Sequence, residues 1–258
     1  GAVPSGGIVS LKVTGVGGVP ASGVAAVSLN TTVTSPGASG FITLYPSGSA
    51  RPVASNLNFV TGQTIPNLVT VKVGGDGKVN LYNGSGATVH LVADVAGYYL
   101  SGTPTVDGAF VPLEPMRVLD TRDGTGFAGA VPPGGTVSLQ VATPFGVPGA
   151  GVAAVVLNTT VTSPGASGFI TAYPQGSAKP TASNLNFVAG LTIPNQVTVK
   201  VGSTGRVNLY NGSGAYVHLI ADVAGYFLDT SLDINWSSFP DGVAGTPYPS
   251  ITLYEANA

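Results

Sequence analysis

Residues 1–100 and 129–228 are two copies of one sequence, aligned without a gap. About three positions in four are identical. One run of fifteen residues, LNTTVTSPGASGFIT, stands at 29–43 and returns unchanged at 157–171, turn residues included. A repeat of this length is too long for one turn of a solenoid, so each copy is expected to be a whole folded unit. Whatever this chain folds into must therefore be built twice.

Within each copy the pattern is that of strands and turns. In ASNLNFV, Leu57 and Phe59 point one way while Asn56 and Asn58 point the other, the period-two signature of a half-buried strand. Val69, Val71 and Val73 share a face, with Thr70 and Lys72 opposite. The stretch VKVGGDGKVNLYNGSGATVHLVADV reads as strand, Gly/Asp turn, strand, Asn-Gly turn, strand. No segment carries a capped 3.6-residue period. The prediction is about seven strands per copy, near 7–14, 23–34, 39–46, 54–60, 67–74, 78–83 and 87–99, repeated in copy two. The fold class expected is all-β: two tandem homologous β-sandwich-like domains plus a C-terminal extended tail. Their bounds are 1–100 for the first repeat, 101–128 for a linker and opening segment of the second repeat, 129–228 for the second repeat, and 229–258 for the tail.

Composition narrows the function classes. Charged residues make up only 8% and the net charge is −2, so there is no basic footprint for nucleic acid. No run of about 18 apolar residues is present, so no membrane insertion is expected. Without cysteine there are no disulfides and no thiolate metal sites. The low charge, high Thr, Gly and Asn content and lack of cysteine fit an exported, extracellular bacterial protein read here in a processed form.

Between the copies lies FVPLEPMRVLDTRDGTG, residues 110–126. This segment, with VPPGGTVSLQV, GVAAVVLNTTVT, ASNLNF, TIPN and ADVAGYF after it, resembles a family of LDTR-type β-repeats in exported surface and secreted proteins of actinobacteria and related bacteria. The resemblance covers most of the chain. It implies an all-β extracellular module and carries no catalytic residues with it. In that pattern each repeat opens with its LDTR segment. Here the segment stands once, ahead of copy two, and copy one starts at the position that follows it. If the segment is a strand, copy one is expected to have an unpaired edge that invites another chain.

The tail, 229–258, has no counterpart in the repeat and holds the only Trp, Trp236. Within it ITLYE (Ile251, Leu253, Tyr254 and Glu255, with Thr252) resembles the pattern of MRVLD at 116–120: apolar, polar, apolar, apolar, acid. Thirty extended residues reach about 100 Å. A tail strand seated in the open edge of the next chain would make a contact that does not close on itself and so gives a filament; the alternative is a tail that folds back on its own domain.

The candidate sites are few. Asp120, Thr121 and Arg122 are the most chemically distinctive run and are expected to form a buried structural staple between strands, with anion or sugar recognition as the alternative. DTRDGTG lacks the terminal Glu of a calcium loop. His90 and His218 each precede an aspartate, Asp94 and Asp222, by four residues. Such residues are about 13 Å apart along a strand, and no nucleophile accompanies them, so no catalytic residues are expected. Asn56, Asn58, Asn184 and Asn186 are candidate glycan contacts on an outward strand face, beside Tyr45, Tyr82, Tyr173 and Tyr210. No cofactor and no metal are expected.

The reading that follows is a non-enzymatic structural subunit of an extracellular fibre, with itself as partner, assembled head to tail by strand exchange. The alternative is a monomeric carbohydrate- or surface-binding module that adheres to cell-surface glycans.

Overall fold

The computed structural model describes residues 1–103 and 106–229. Among the described residues every regular element is a β-strand. Copy one contributes β1 (Ile8–Lys12), β2 (Val24–Thr34), β3 (Gly40–Pro46), β4 (Leu57–Phe59), β5 (Ile65–Lys72), β6 (Lys78–Asn83) and β7 (His90–Leu100). The LDTR segment forms β8 (Phe110–Asp120). Copy two repeats the series as β9 (Thr136–Gln140), β10 (Val152–Thr162), β11 (Gly168–Pro174), β12 (Leu185–Phe187), β13 (Ile193–Lys200), β14 (Arg206–Asn211) and β15 (His218–Leu228).

Each copy is a sandwich of two antiparallel sheets. In copy one the orders are β1-β6-β3-β4 and β5-β2-β7. In copy two they are β9-β14-β11-β12 and β13-β10-β15-β8. The alternating pattern decides which side chains meet between the sheets. Leu57 and Phe59 of β4, Val69 and Val71 of β5, and Val79 and Leu81 of β6 are all buried in one cluster with Leu29 and Ile42. The equivalent residues of copy two form a second cluster, joined there by Val118 and Leu119 of β8.

Two turns explain why loops as well as strands are duplicated. Asn83 is fully buried and its amide donates to the carbonyls of Val3, Pro4 and Ala87, while its Oδ1 accepts from Ser85 N–H. Asn211 makes the same bonds in copy two. The SPGASG loop packs beneath this turn. A Cβ at Gly37 would stand 2.9 Å from Ala87 Cβ, and one at Gly40 would stand 2.6 Å from Ser85 Cα. The verbatim loop is therefore constrained by packing as well as by common origin.

Candidate functional site

The two copies differ most at their last strand. β15 is paired on both sides, with β10 and with β8. Along β8 the register sets Asp120 against Ile220, Leu119 against Ala221, Arg117 against Asp222 and Phe110 against Phe227. β7 has nearly the same sequence and pairs with β2 in the same register, yet among the described residues nothing pairs with its other edge. Val92, Val95 and Tyr98 are 46%, 37% and 43% exposed, where Ile220, Val223 and Tyr226 are 5%, 1% and 8%. At Gly225 an added Cβ would run into the Phe110 ring and Val111 O, whereas the equivalent Gly97 has nothing within 4 Å. One slot is filled and, among the described residues, its twin is open.

The filled slot is locked by charge as well as by packing. Arg117 Nε donates to Asp222 Oδ1 at 2.6 Å across the strand pair, and its Nη1 donates to Asp120 Oδ2 at 2.9 Å. Arg122 closes on the same Asp120 through Nε at 2.9 Å and Nη2 at 2.6 Å. Thr121 reaches back to β15: its N–H donates to Leu219 O, its Oγ1 accepts from Leu219 N–H at 3.0 Å, and it lies 2.9 Å from His218 Nδ1. The hydrogen bonds from Arg122 hold the Asp120 carboxyl below its usual range, against the opposing effect of burial. Burial pushes the Asp222 carboxyl up to about 6, opposed by Arg117 and by the backbone N–H of Ser55.

Of the run 120–122, Asp120 and Thr121 are buried and only Thr121 bonds directly across to β15. The cross-strand ion pair is made by Arg117, which sequence reasoning did not single out; the signal available was its place three residues ahead of Asp120 in the segment between the copies. His218 and Asp222 do not pair with each other. Each takes its own partner on the β8 segment, Thr121 and Arg117 respectively.

The expectation of an outward asparagine face needs correction. Asn56 is 4% exposed, and its Oδ1 accepts from Leu44 N–H at 2.7 Å. Asn184 is bonded alike to Ala172 N–H. The amide satisfies an interior backbone donor ahead of a strand only three residues long, so period-two reading fails there. Asn58 and Asn186 do point outward, half-buried and exposed. Tyr45 and Tyr173 are buried, while Tyr82 and Tyr210 lie under Arg51 and Lys179 at 4.2 and 4.5 Å. Ile251, Leu253, Tyr254 and Glu255, expected from the sequence to form an assembly strand, lie outside the described residues.

A second distinctive region is the joint between the copies. The β5 side of copy one rests on the outer face of the β13-β10-β15-β8 sheet. Asn158 Nδ2 donates to Ser55 O at 2.5 Å and Asn158 Oδ1 accepts from Asn67 Nδ2 at 3.1 Å. Gln196 accepts from Thr70 N–H and donates to Thr70 Oγ1 at 3.0 Å. Tyr99 of copy one stacks 4.3 Å from Phe110, which stands 5.0 Å from Phe227. Beside the joint is an open cleft of about 650 Å³ that Arg51, Arg117, Arg122 and Asn58 help to line. Among the described residues no group of three or more His, Asp or Glu is placed to hold a metal ion. Among them, too, no helix is long and apolar enough to cross a membrane.

No known protein-family model matches the chain, and no curated protein matches it.

Proposed function

We propose that this protein is a non-enzymatic structural subunit of an extracellular surface fibre, assembled head to tail by strand exchange. The observation that carries this reading is the contrast between β15, whose outer edge holds β8, and β7, whose outer edge is open among the described residues. The donor is the tail of the next chain. Aligned on ITLYE and MRVLD, the tail sets Pro247 where β8 has Pro112, and Tyr248 where β8 has Leu113. The apolar positions of β8 that fill the slot, Val118 and Leu119, become Leu253 and Tyr254, and the exposed Met116 becomes Ile251. Burying an exposed side chain such as Val92 or Leu100 contributes on the order of 1.5–3 kcal/mol when coverage is complete. Backbone pairing along the edge sets direction and register. Few surface charges suit such an assembly, since backbone bonds do not weaken with salt as exposed ion pairs do. The exported character of the LDTR-type repeats it resembles supports the extracellular setting.

The test is deletion of residues 247–258, followed by electron microscopy and light scattering. The expected result is loss of fibres with both copies still folded. Fibres from the truncated chain would exclude strand exchange by the tail. A 25.5 kDa monomer from the intact chain would instead favour a monomeric binding module, with the arginine-lined cleft as the place to look for an acidic glycan.

A further inference from the structure

The joint inside the chain brings together two surfaces, and each of them is present a second time with nothing on it among the described residues. On copy two the receiving face carries Asn158, Thr160 and Thr162, at most 7% exposed. The same face of copy one carries Asn30, Thr32 and Thr34 in the same verbatim run, where Asn30 is exposed and the two threonines are half-buried. Among the described residues Asn30 has no side-chain hydrogen-bond partner, whereas Asn158 both donates to Ser55 O and accepts from Asn67. The inserting edge recurs as well. Asn67 Nδ2 is fixed on Asn56 O at 2.6 Å, and in copy two Asn195 Nδ2 is fixed on Asn184 O at 2.6 Å. The edge of copy two is thus already shaped as the edge of copy one is. It differs in being open: Thr198 is exposed where Thr70 is 2% exposed.

We infer that the joint between the two copies is repeated between chains, with Ser183 and Asn195 of one molecule seated on Asn30 and Asp94 of the next. This inference rests on the head-to-tail reading and names the surface that accompanies the exchanged strand. The connectivity agrees with it. Inside the chain, copy one leads through a linker to a strand seated in copy two, and copy one then lies against the face beside that strand. Between chains, copy two leads through its tail to the open slot of the next copy one, and the same face lies beside that slot. Ser55 shows what Ser183 would do, since its carbonyl accepts from Asn158 and its N–H donates to the Asp222 carboxylate. Asn30 and Asp94 offer the same two groups, exposed.

The arrangement also explains why the duplicated run keeps both faces. Positions 29, 31 and 33 fill the core, and a core alone constrains only those. Positions 30, 32 and 34 are constrained equally if each copy has a neighbour on its outer face. One departure is informative: Leu68, 41% exposed, stands where Gln196 reaches Thr70. Between chains that position would bury an apolar side chain against Thr198 in place of a hydrogen bond.

The absence of cysteine makes the contact easy to map. Asn30→Cys combined with Ser183→Cys, treated with a short bismaleimide after assembly, should give a ladder of linked chains. Ser55→Cys with Asn158→Cys should link within one chain and keep monomer mobility. In parallel, Asn30→Arg should leave monomer melting unchanged and lower the assembled fraction at least tenfold by light scattering. Fibres that depend on the tail yet give no ladder and tolerate Asn30→Arg would overturn this joint and leave strand exchange standing. A ladder from fibres indifferent to tail deletion would uphold the joint and remove strand exchange. No assembly of the intact chain would overturn both.

Discussion

HLVADVAGYYL and HLIADVAGYFL, the strands β7 and β15, differ at two positions of eleven. They occupy equivalent places and pair equally with β2 and β10. Even so, β15 is almost wholly buried and β7 alternates between half-buried and exposed along its length. The difference is not in the strand but in its neighbour. β15 has β8 beside it and copy one against its outer face, and β7 has neither among the described residues. A strand rich in Val, Tyr and Leu suits a place with neighbours on both sides. Copy two shows that place completed and, among the described residues, copy one shows it open. The repeat supplies all but one of the strands seen in copy two, where the last is β8, from the segment between the copies.

The contrast can be broken most strongly at Arg117. Replacing it with Ala leaves Asp222 buried without its cation, at a cost of about 3–5 kcal/mol at pH 7, while copy one has no residue in that role and should melt unchanged. Part of the loss should return at pH 5, where Asp222, pushed up to about 6, takes a proton and no longer needs the guanidinium. Chemical denaturation monitored separately for each copy would read both effects.

The same carboxyl gives the intact protein a pH signature confined to copy two. Because the folded value of Asp222 lies above its ordinary 3.8, the folded state binds more protons than the unfolded chain between those values. Its contribution to stability therefore falls as pH rises from about 4 to about 6. Asp120 is held low and acts in the other sense, with stability that is lost as pH drops below the ordinary carboxylate range. Melting temperatures across this range should show the upper slope in the wild type and lose it in Asp222→Asn.

A gentler comparison uses one substitution at equivalent sites. Val223→Ala, at 1% exposure, should cost about 2 kcal/mol by leaving a cavity in copy two. Val95→Ala, at 37% exposure, should cost under about 0.5 kcal/mol in the unassembled chain. In fibres the Val95 effect should grow toward that of Val223, and equal costs before assembly would contradict an open slot.

Much of the fold was legible in the sequence because period two is a local property. The predicted spans match β2, β3 and β6 to within a residue, and Leu57, Phe59, Val69 and Val71 face inward as expected. What was not legible depends on residues far apart in the chain. Arg117 and Asp222 are separated by 105 positions, and nothing local marks them as a pair. Asn56 reads as an outward strand residue until Leu44 N–H is seen to need an acceptor. The glycines of SPGASG read as turn formers, and only the approach of Ala87 and Ser85 shows that side chains would not fit. The joint residues Asn67 and Asn158 belong to the same kind, two amides whose significance appears only when the copies are brought together.

The central claim is that the outer edge of β7 is completed by the tail of another chain. Hydrogen–deuterium exchange on β7 and β15, in assembled full-length protein and in the chain lacking residues 247–258, tests it directly. The β15 amides should be slow in both samples, while the outward-facing β7 amides should be slow in fibres and fast in the truncated chain. Slow exchange of those β7 amides with the tail removed would contradict it.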